Sequence, residues 1–180
     1  MTASSGLGFS GARTHRLSAT ERLFRLLLRQ WVDAASETLD FVVWKRIARA
    51  GRLGIVHHAH APTESVSRSR SRPLRLAAQQ LVQFDVDEAA SSPRSSLLRR
   101  VGALFLMYSL FETQPTTAAP RRRTKVRLCK KTGAALLRLR ADLGALPTPE
   151  AHDALLVLDR MARGRCFSFG VEARRSRADG

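Results

Sequence analysis

"RRVGALFLMYSLFETQ", residues 99–114, is the oiliest run in a chain of 180 residues with a formal net charge of +16. Such a run is a membrane span, the wall of a catalytic pocket, or a helix buried in a core. A span needs about 20 consecutive apolar residues. The run from Val101 to Phe111 has 11, set between paired arginines and Glu112. A span is therefore excluded. Leu97, Leu98, Val101, Leu104, Phe105, Tyr108 and Phe111 recur at the i, i+3, i+4 spacing of one helical face, and Leu106, Met107 and Leu110 fill a second. A helix apolar nearly all round is surrounded by protein, so the spacing predicts a central helix over about 93–112. Within it, Gly102 admits close approach of a neighbouring backbone, and the Tyr108 hydroxyl requires a hydrogen-bond partner inside.

Upstream, Ser18-Ala-Thr-Glu21 is a capping-box pattern, and it predicts a helix to Trp31 with Phe24, Leu27, Leu28 and Trp31 on one face. Ser36 is placed to cap a second helix containing Leu39, Val43, Trp44 and Ile47, ended by Gly51. "APTESVSRSRSRP", residues 61–73, reads as a Ser/Arg-rich linker or loop, with too few Ser-Arg repeats for a phosphorylation switch. A weaker third helix is predicted from Pro73 to Val82, with the proline in its first turn.

Downstream, "QPTTAAP" breaks the chain before "RRRTKVRLCKKTG" and an amphipathic run to Leu143. Thr148 suits an N-cap, Pro149 a first turn, and Glu150 the positive helix end; Ala151, Ala154, Leu155, Leu158 and Met161 form the stripe that follows. The short "GALPT" joint makes these two helices antiparallel neighbours. "KVRL" and "CFSF" alternate at period two on either side of this hairpin and suit pairing as two short strands. The expected fold is mainly α. It is a compact bundle of about five to six helices with a short two-stranded β element near the C-terminus. The expected organisation is a flexible arm at 1–17, a helical domain at 18–171 and a basic tail at 172–180 that contains Arg174, Arg175 and Arg177.

A hydrophobic fraction of 44% is enough for a packed core, and a pI near 11.6 points to a polyanionic partner, nucleic acid above all. Arginine outnumbers lysine 27 to 4, which reads equally as bidentate phosphate chemistry or as GC-rich coding. No acid lies between Glu112 and Asp142, whereas Arg121, Arg122, Arg123, Lys125, Arg127, Lys130, Lys131, Arg138 and Arg140 gather there. The first seven are candidate phosphate contacts, a source of salt-sensitive affinity without sequence reading. Phe41, Trp44, Val101, Leu104, Phe105, Tyr108 and Phe111 are the candidate core or partner-interface residues. Helix-turn-helix, zinc-finger and RNA-recognition signatures are not seen.

Nothing in the sequence suggests catalysis. There is no G-x-S-x-G, P-loop or H-E-x-x-H motif, and "GLGFSG" near the start follows no strand. His57, His58 and His60 have no Cys or carboxylate at ligand spacing, so neither a metal nor any other cofactor is expected. Cys129 and Cys166 both read as small buried hydrophobes of a reducing compartment. "MTASSGLGFSGARTHR" has no apolar core of secretory-signal length.

The central stretch also resembles a known family, subunit 1 of the small nuclear RNA-activating protein complex. The similarity runs through Arg100 to Leu104, Phe105, Leu106, Tyr108, Leu110, Phe111, Thr113 and Gln114. "KVRLCKKTGAALLRLRADLGA" is similar to the family's basic strand-then-helix segment, and "AHDALLVLDRMARGRCFSFGV" to its next helix and aromatic strand, including Phe167 and Phe169. "LDFVVWKRIARAGRLG" is fainter, resembling its early helix through Phe41 and Trp44. The resemblance implies a nuclear, non-catalytic subunit that helps recognise the proximal sequence element of small nuclear RNA promoters for RNA polymerases II and III. It also implies two partner subunits, a largest one with Myb-type repeats and a second that contains zinc. Most sequence reading would belong to those partners. The family's long charged C-terminal tail is not seen in this chain, and this chain's Ser/Arg segment has no evident counterpart in the family. From the residues alone, a free-standing arginine-rich RNA-binding protein stays open as the alternative, with an enzyme of unrecognised site as a third reading.

Overall fold

The computed structural model describes residues 18–35, 39–58, 66–86, 92–115 and 123–169, with backbone only at 66–69, 84–86 and 148. The expected arm at 1–17, the tail at 172–180, the start of the Ser/Arg segment, Ser36, His60, Arg121 and Arg122 lie outside these residues.

Helix α1, Ala19–Ala34, opens on the expected capping box: the Glu21 amide donates to Ser18 Oγ at 3.2 Å and the Ser18 amide to Glu21 Oε2 at 2.7 Å. The Ser18 hydroxyl, which donates to Glu21 Oε2 at 2.7 Å, and the Ser18 amide together hold the Glu21 carboxyl below the usual carboxylate range. Helix α2, Phe41–Ala50, is capped by Asp40, whose carboxylate accepts from the Val42 amide at 2.6 Å. The cap expected at Ser36 is thus corrected to Asp40, and buried Leu39 precedes the helix rather than lying in it. Gly51 ends α2 as expected but with an ordinary negative φ; the left-handed residue is Arg52, at φ 51°. A 3-10 turn, Leu53–His57, follows.

Helix α3, Val66–Val86, begins inside the segment read as linker and carries Pro73 in its interior. The expected start at Pro73 is therefore moved seven residues upstream. Buried Leu74, Leu76, Ala77, Ala78 and Leu81 dock α3 on its neighbours, and once a helix is anchored, adding turns of arginine, a good helix former, costs little.

Helix α4, Pro93–Glu112, is capped by Ser92 and occupies the centre, touching all five other helices. Val101, Ala103, Leu104, Phe105, Leu106, Met107 and Leu110 are wholly buried there. Strand β1, Val126–Leu128, leads to the antiparallel helices α5, Lys130–Gly144, and α6, Thr148–Arg163, and then to β2, Phe167–Phe169. Helix α6 starts one residue earlier than read, with Pro147 as its cap. The strands pair in parallel, Val126 opposite Phe167 and Leu128 opposite Phe169. A parallel pair requires a crossover connection, and the α5–α6 hairpin supplies it. The mainly helical bundle with a small sheet is as expected.

Gly102 differs from its expected role. A Cβ there would stand 2.5 Å from Trp31 Cδ1 and 2.9 Å from Leu28 Cδ2, so the glycine makes room for side chains of α1 rather than for a backbone. The Trp31 indole N–H donates to the Leu98 carbonyl at 2.7 Å from that recess. Tyr108 is half-buried rather than interior, and burial, with Glu112 nearby, raises its phenol pKa.

His57 fastens the 3-10 turn to the end of α4. Its Nε2–H donates to the Leu110 carbonyl at 2.8 Å, one of the last four carbonyls that a helix leaves without an internal donor. Nδ1 is buried without a partner. Burial is the main cause that lowers the imidazole pKa from 6.5, opposed by the Leu110 bond. The neutral form is favoured in the folded state. Its stabilisation is complete above the unfolded value of about 6.5 and is lost as pH falls through the lower folded value. Chemical denaturation at a series of pH values should show an acid-side loss of stability in the wild type that is reduced in His57→Gln, which keeps a donor and cannot charge. An identical profile in the two proteins would refute this role.

Candidate nucleic-acid and partner interfaces

The seven residues expected at the core or a partner interface fall into one cluster. Trp44, Val101, Leu104, Phe105 and Phe111 are buried, whereas Phe41 and Tyr108 line its half-buried rim. Phe41 meets Phe105 edge-on at 4.9 Å and Tyr108 at 5.5 Å between centroids; Trp31 meets Phe105 at 5.4 Å and Trp44 at 6.2 Å. The aromatic edges and faces alternate as their quadrupoles prefer. The Trp44 indole donates to Ser109 Oγ at 2.8 Å, and the Phe41 amide donates to Asp153 Oδ2 at 2.9 Å, which ties α2 to α6.

The basic tract is built by local pattern. In β1, Val126 and Leu128 turn inward and Arg127 outward, the period-two alternation read from "KVRL". Lys125, Arg127, Lys130 and Lys131 are all exposed, and none is in ion-pair contact with a carboxylate among the described residues. Cys129 caps α5 without a side-chain hydrogen bond to the helix amides, so two lysines occupy the first turn at the positive end of the helix. Cations there are disfavoured by roughly 0.3–1 kcal/mol each, and a bound anion would relieve that cost. Arg123 is differently placed: it pairs with Glu112 at 2.9 Å and lies over the Phe111 ring at 5.3 Å. Arg140, further along, pairs with Asp159 at 3.4 Å.

Three polar residues outside the candidate phosphate-contact and interface sets organise this region. The Gln114 amide donates to the Thr124 carbonyl at 2.9 Å and accepts from the Thr124 amide at 2.7 Å, which clamps the end of α4 to the start of β1. Its position at the close of the apolar run, in the Thr-Gln ending, was the available signal. Arg100, with a side chain 8% exposed, reaches Asp142 Oδ2 at 2.6 Å and holds α5 against α4. Asp153 is the third, through Phe41. No spacing rule joins either of these to a partner 42 or 112 residues away.

Of the two cysteines expected to be buried, Cys166 is buried whereas Cys129 is only half-buried. Burial, with Glu112 close by, pushes the Cys166 thiol up and keeps it protonated. Cys129 Sγ lies 3.3 Å from Thr132 Oγ1. Among the described residues no His, Cys, Asp and Glu side chains gather as a metal site, and no helix is long and apolar enough to cross a membrane.

The chain matches the protein family described as "Small nuclear RNA activating complex (SNAPc), subunit 1" over residues 21–178. No curated protein matches it.

Proposed function

The chain belongs to the subunit 1 family of the small nuclear RNA activating complex, and on that premise we propose that it is a non-catalytic assembly subunit working at small nuclear RNA promoters in the nucleus. In this reading the complex binds the proximal sequence element and serves RNA polymerases II and III. Its partners are a Myb-repeat largest subunit and a zinc-containing second subunit, which do most of the sequence reading. The subunit itself contributes a rigid helical body and phosphate contacts from its basic tract, including Arg121, Arg122 and Arg123.

The observation that carries the DNA contact is the row of exposed cations Lys125, Arg127, Lys130 and Lys131 leading into and opening α5, none of them ion-paired with a carboxylate among the described residues. Phosphate contact fixes position without reading bases. Replacement of these four by alanine in the assembled complex should weaken binding to different promoter fragments alike. The slope of log affinity against log salt should flatten by up to about 3.6, at roughly 0.9 per phosphate contact. An unchanged slope, or loss at one promoter sequence only, would refute the assignment.

A further inference from the structure

The two most exposed large hydrophobic side chains among the described residues, Phe169 at 84% and Leu137 at 71%, belong to one patch. The Phe169 ring stands 3.9 Å from where a side chain on Gly133 would begin, and Leu137 lies one turn beyond Gly133 on the same face of α5. Strand β2 runs beside them. Its one strand partner among the described residues is β1. The Val126 amide donates to the Cys166 carbonyl at 2.8 Å. By ladder alternation the Cys166 carbonyl and the Ser168 amide face β1, the Cys166 amide donating instead to the Met161 carbonyl at 3.1 Å, and Phe167 and Phe169 turn their amide groups outward. Two strands fall short of a self-standing sheet, and parallel sheets are ordinarily covered on both faces. Helix α3 packs on β1, whereas the outer side of β2 ends in an exposed phenylalanine.

The surroundings are cationic. Arg127 lies opposite Ser168, Lys130 precedes Gly133 by one turn, and Arg165 leads into β2. The nearby acid Asp159 is already held by Arg140 and Arg163. The chain's own termini do not complement such a patch: residues 1–17 contain no acid, and 170–180 set Arg174, Arg175 and Arg177 against Glu172 and Asp179.

We propose that the outer edge of β2, with Phe169 and Leu137, docks an extended, acid-bearing segment of another subunit of the complex as a third strand. The outward amide groups of Phe167 and Phe169 pair with its main chain, an apolar side chain seats over Gly133, and an acid meets Arg165. This rests on membership in a multi-subunit complex and is independent of the phosphate contacts.

The test co-expresses the full chain with the other subunits of the complex and compares wild type with Phe169→Ser/Leu137→Ser. Both positions are exposed and neither substitution alters charge, so the isolated variant should keep its circular dichroism spectrum and salt-dependent DNA binding. Recovery of assembled complex should fall about tenfold or more, as for truncation of an interface anchor. Hydrogen exchange adds a second readout. The Phe167 and Phe169 amides should exchange fast in the isolated chain and become protected in the complex. Normal assembly of the variant, or equal exchange in the two states, would overturn the proposal. So would a variant that assembles normally but binds duplex DNA more weakly, which would give the patch to nucleic acid. A wild-type homodimer that the variant abolishes would give it to a second copy and overturn the proposal equally. Failure of the four-cation variant to change the salt slope would bear on the phosphate contacts alone.

Discussion

Leu104→Asp abolishes cooperative folding. Leu104 is wholly buried on the helix that touches all five others. A carboxylate there has water on no side. It must either lose its hydration without a partner or take up a proton and remain a buried polar group, at a cost of several kcal/mol in either case. Loss of the leucine's contacts adds a cavity worth roughly 2–5 kcal/mol. Together these approach or exceed the total stability of a domain, about 5–15 kcal/mol. The expected result is a collapsed, aggregation-prone chain without near-ultraviolet circular dichroism or a thermal transition. Leu137→Asp makes the same chemical change on α5 at a side chain 71% exposed, and should alter the stability of the isolated chain by about 0.5 kcal/mol or less. A sharp transition in Leu104→Asp within a few degrees of wild type would refute the central position of α4.

That contrast shows what the sequence made legible. Burial on all sides is written locally, since an apolar run can be read without knowing what surrounds it, and the bounds of α4 at Pro93 and Glu112 were read correctly. The period-two alternation of "KVRL" also exposed its strand, because Val126 and Leu128 turn to the core; in "CFSF" Cys166 is buried and Phe167 packs against the core, but Phe169 is exposed. The start of α3 was hidden for the opposite reason. Its first residues are polar, Pro73 reads as a first-turn residue, and the apolar anchors that make the helix worthwhile all lie beyond it. At Ser36 and Asp40 two acceptable caps stand four residues apart, and only the packing of Leu39 and Phe41 against the rest of the fold decides between them. Of the candidate interface, the basic composition could be read directly. Which cations are committed within the molecule could not, because the Arg123–Glu112 and Arg100–Asp142 pairs depend on how distant segments meet.

Trp31 and Gly102 should behave as a coupled pair. The indole fills the recess over Gly102 and donates to Leu98, so Trp31→Ala removes a large buried side chain and leaves a cavity, at about 3–5 kcal/mol. Gly102→Ala alone has two opposed effects. Alanine gains about 1 kcal/mol of helix propensity over glycine. The new methyl, however, would meet the indole at 2.5 Å and Leu28 at 2.9 Å, and overpacking of this kind costs typically 1–3 kcal/mol. A rigid indole held by its hydrogen bond yields less than the end of a leucine, so repulsion wins and the single variant is less stable than wild type. In the Trp31→Ala background the indole is gone, Leu28 can turn away, and the same methyl fills part of the vacated space. There Gly102→Ala becomes stabilising, by about 1 kcal/mol from propensity alone. The sign of one substitution thus reverses with the identity of the other residue, and a double-mutant cycle by urea denaturation measures it as a coupling energy of about 1–3 kcal/mol. Additive effects in the four proteins would mean that α1 and α4 do not meet at Gly102.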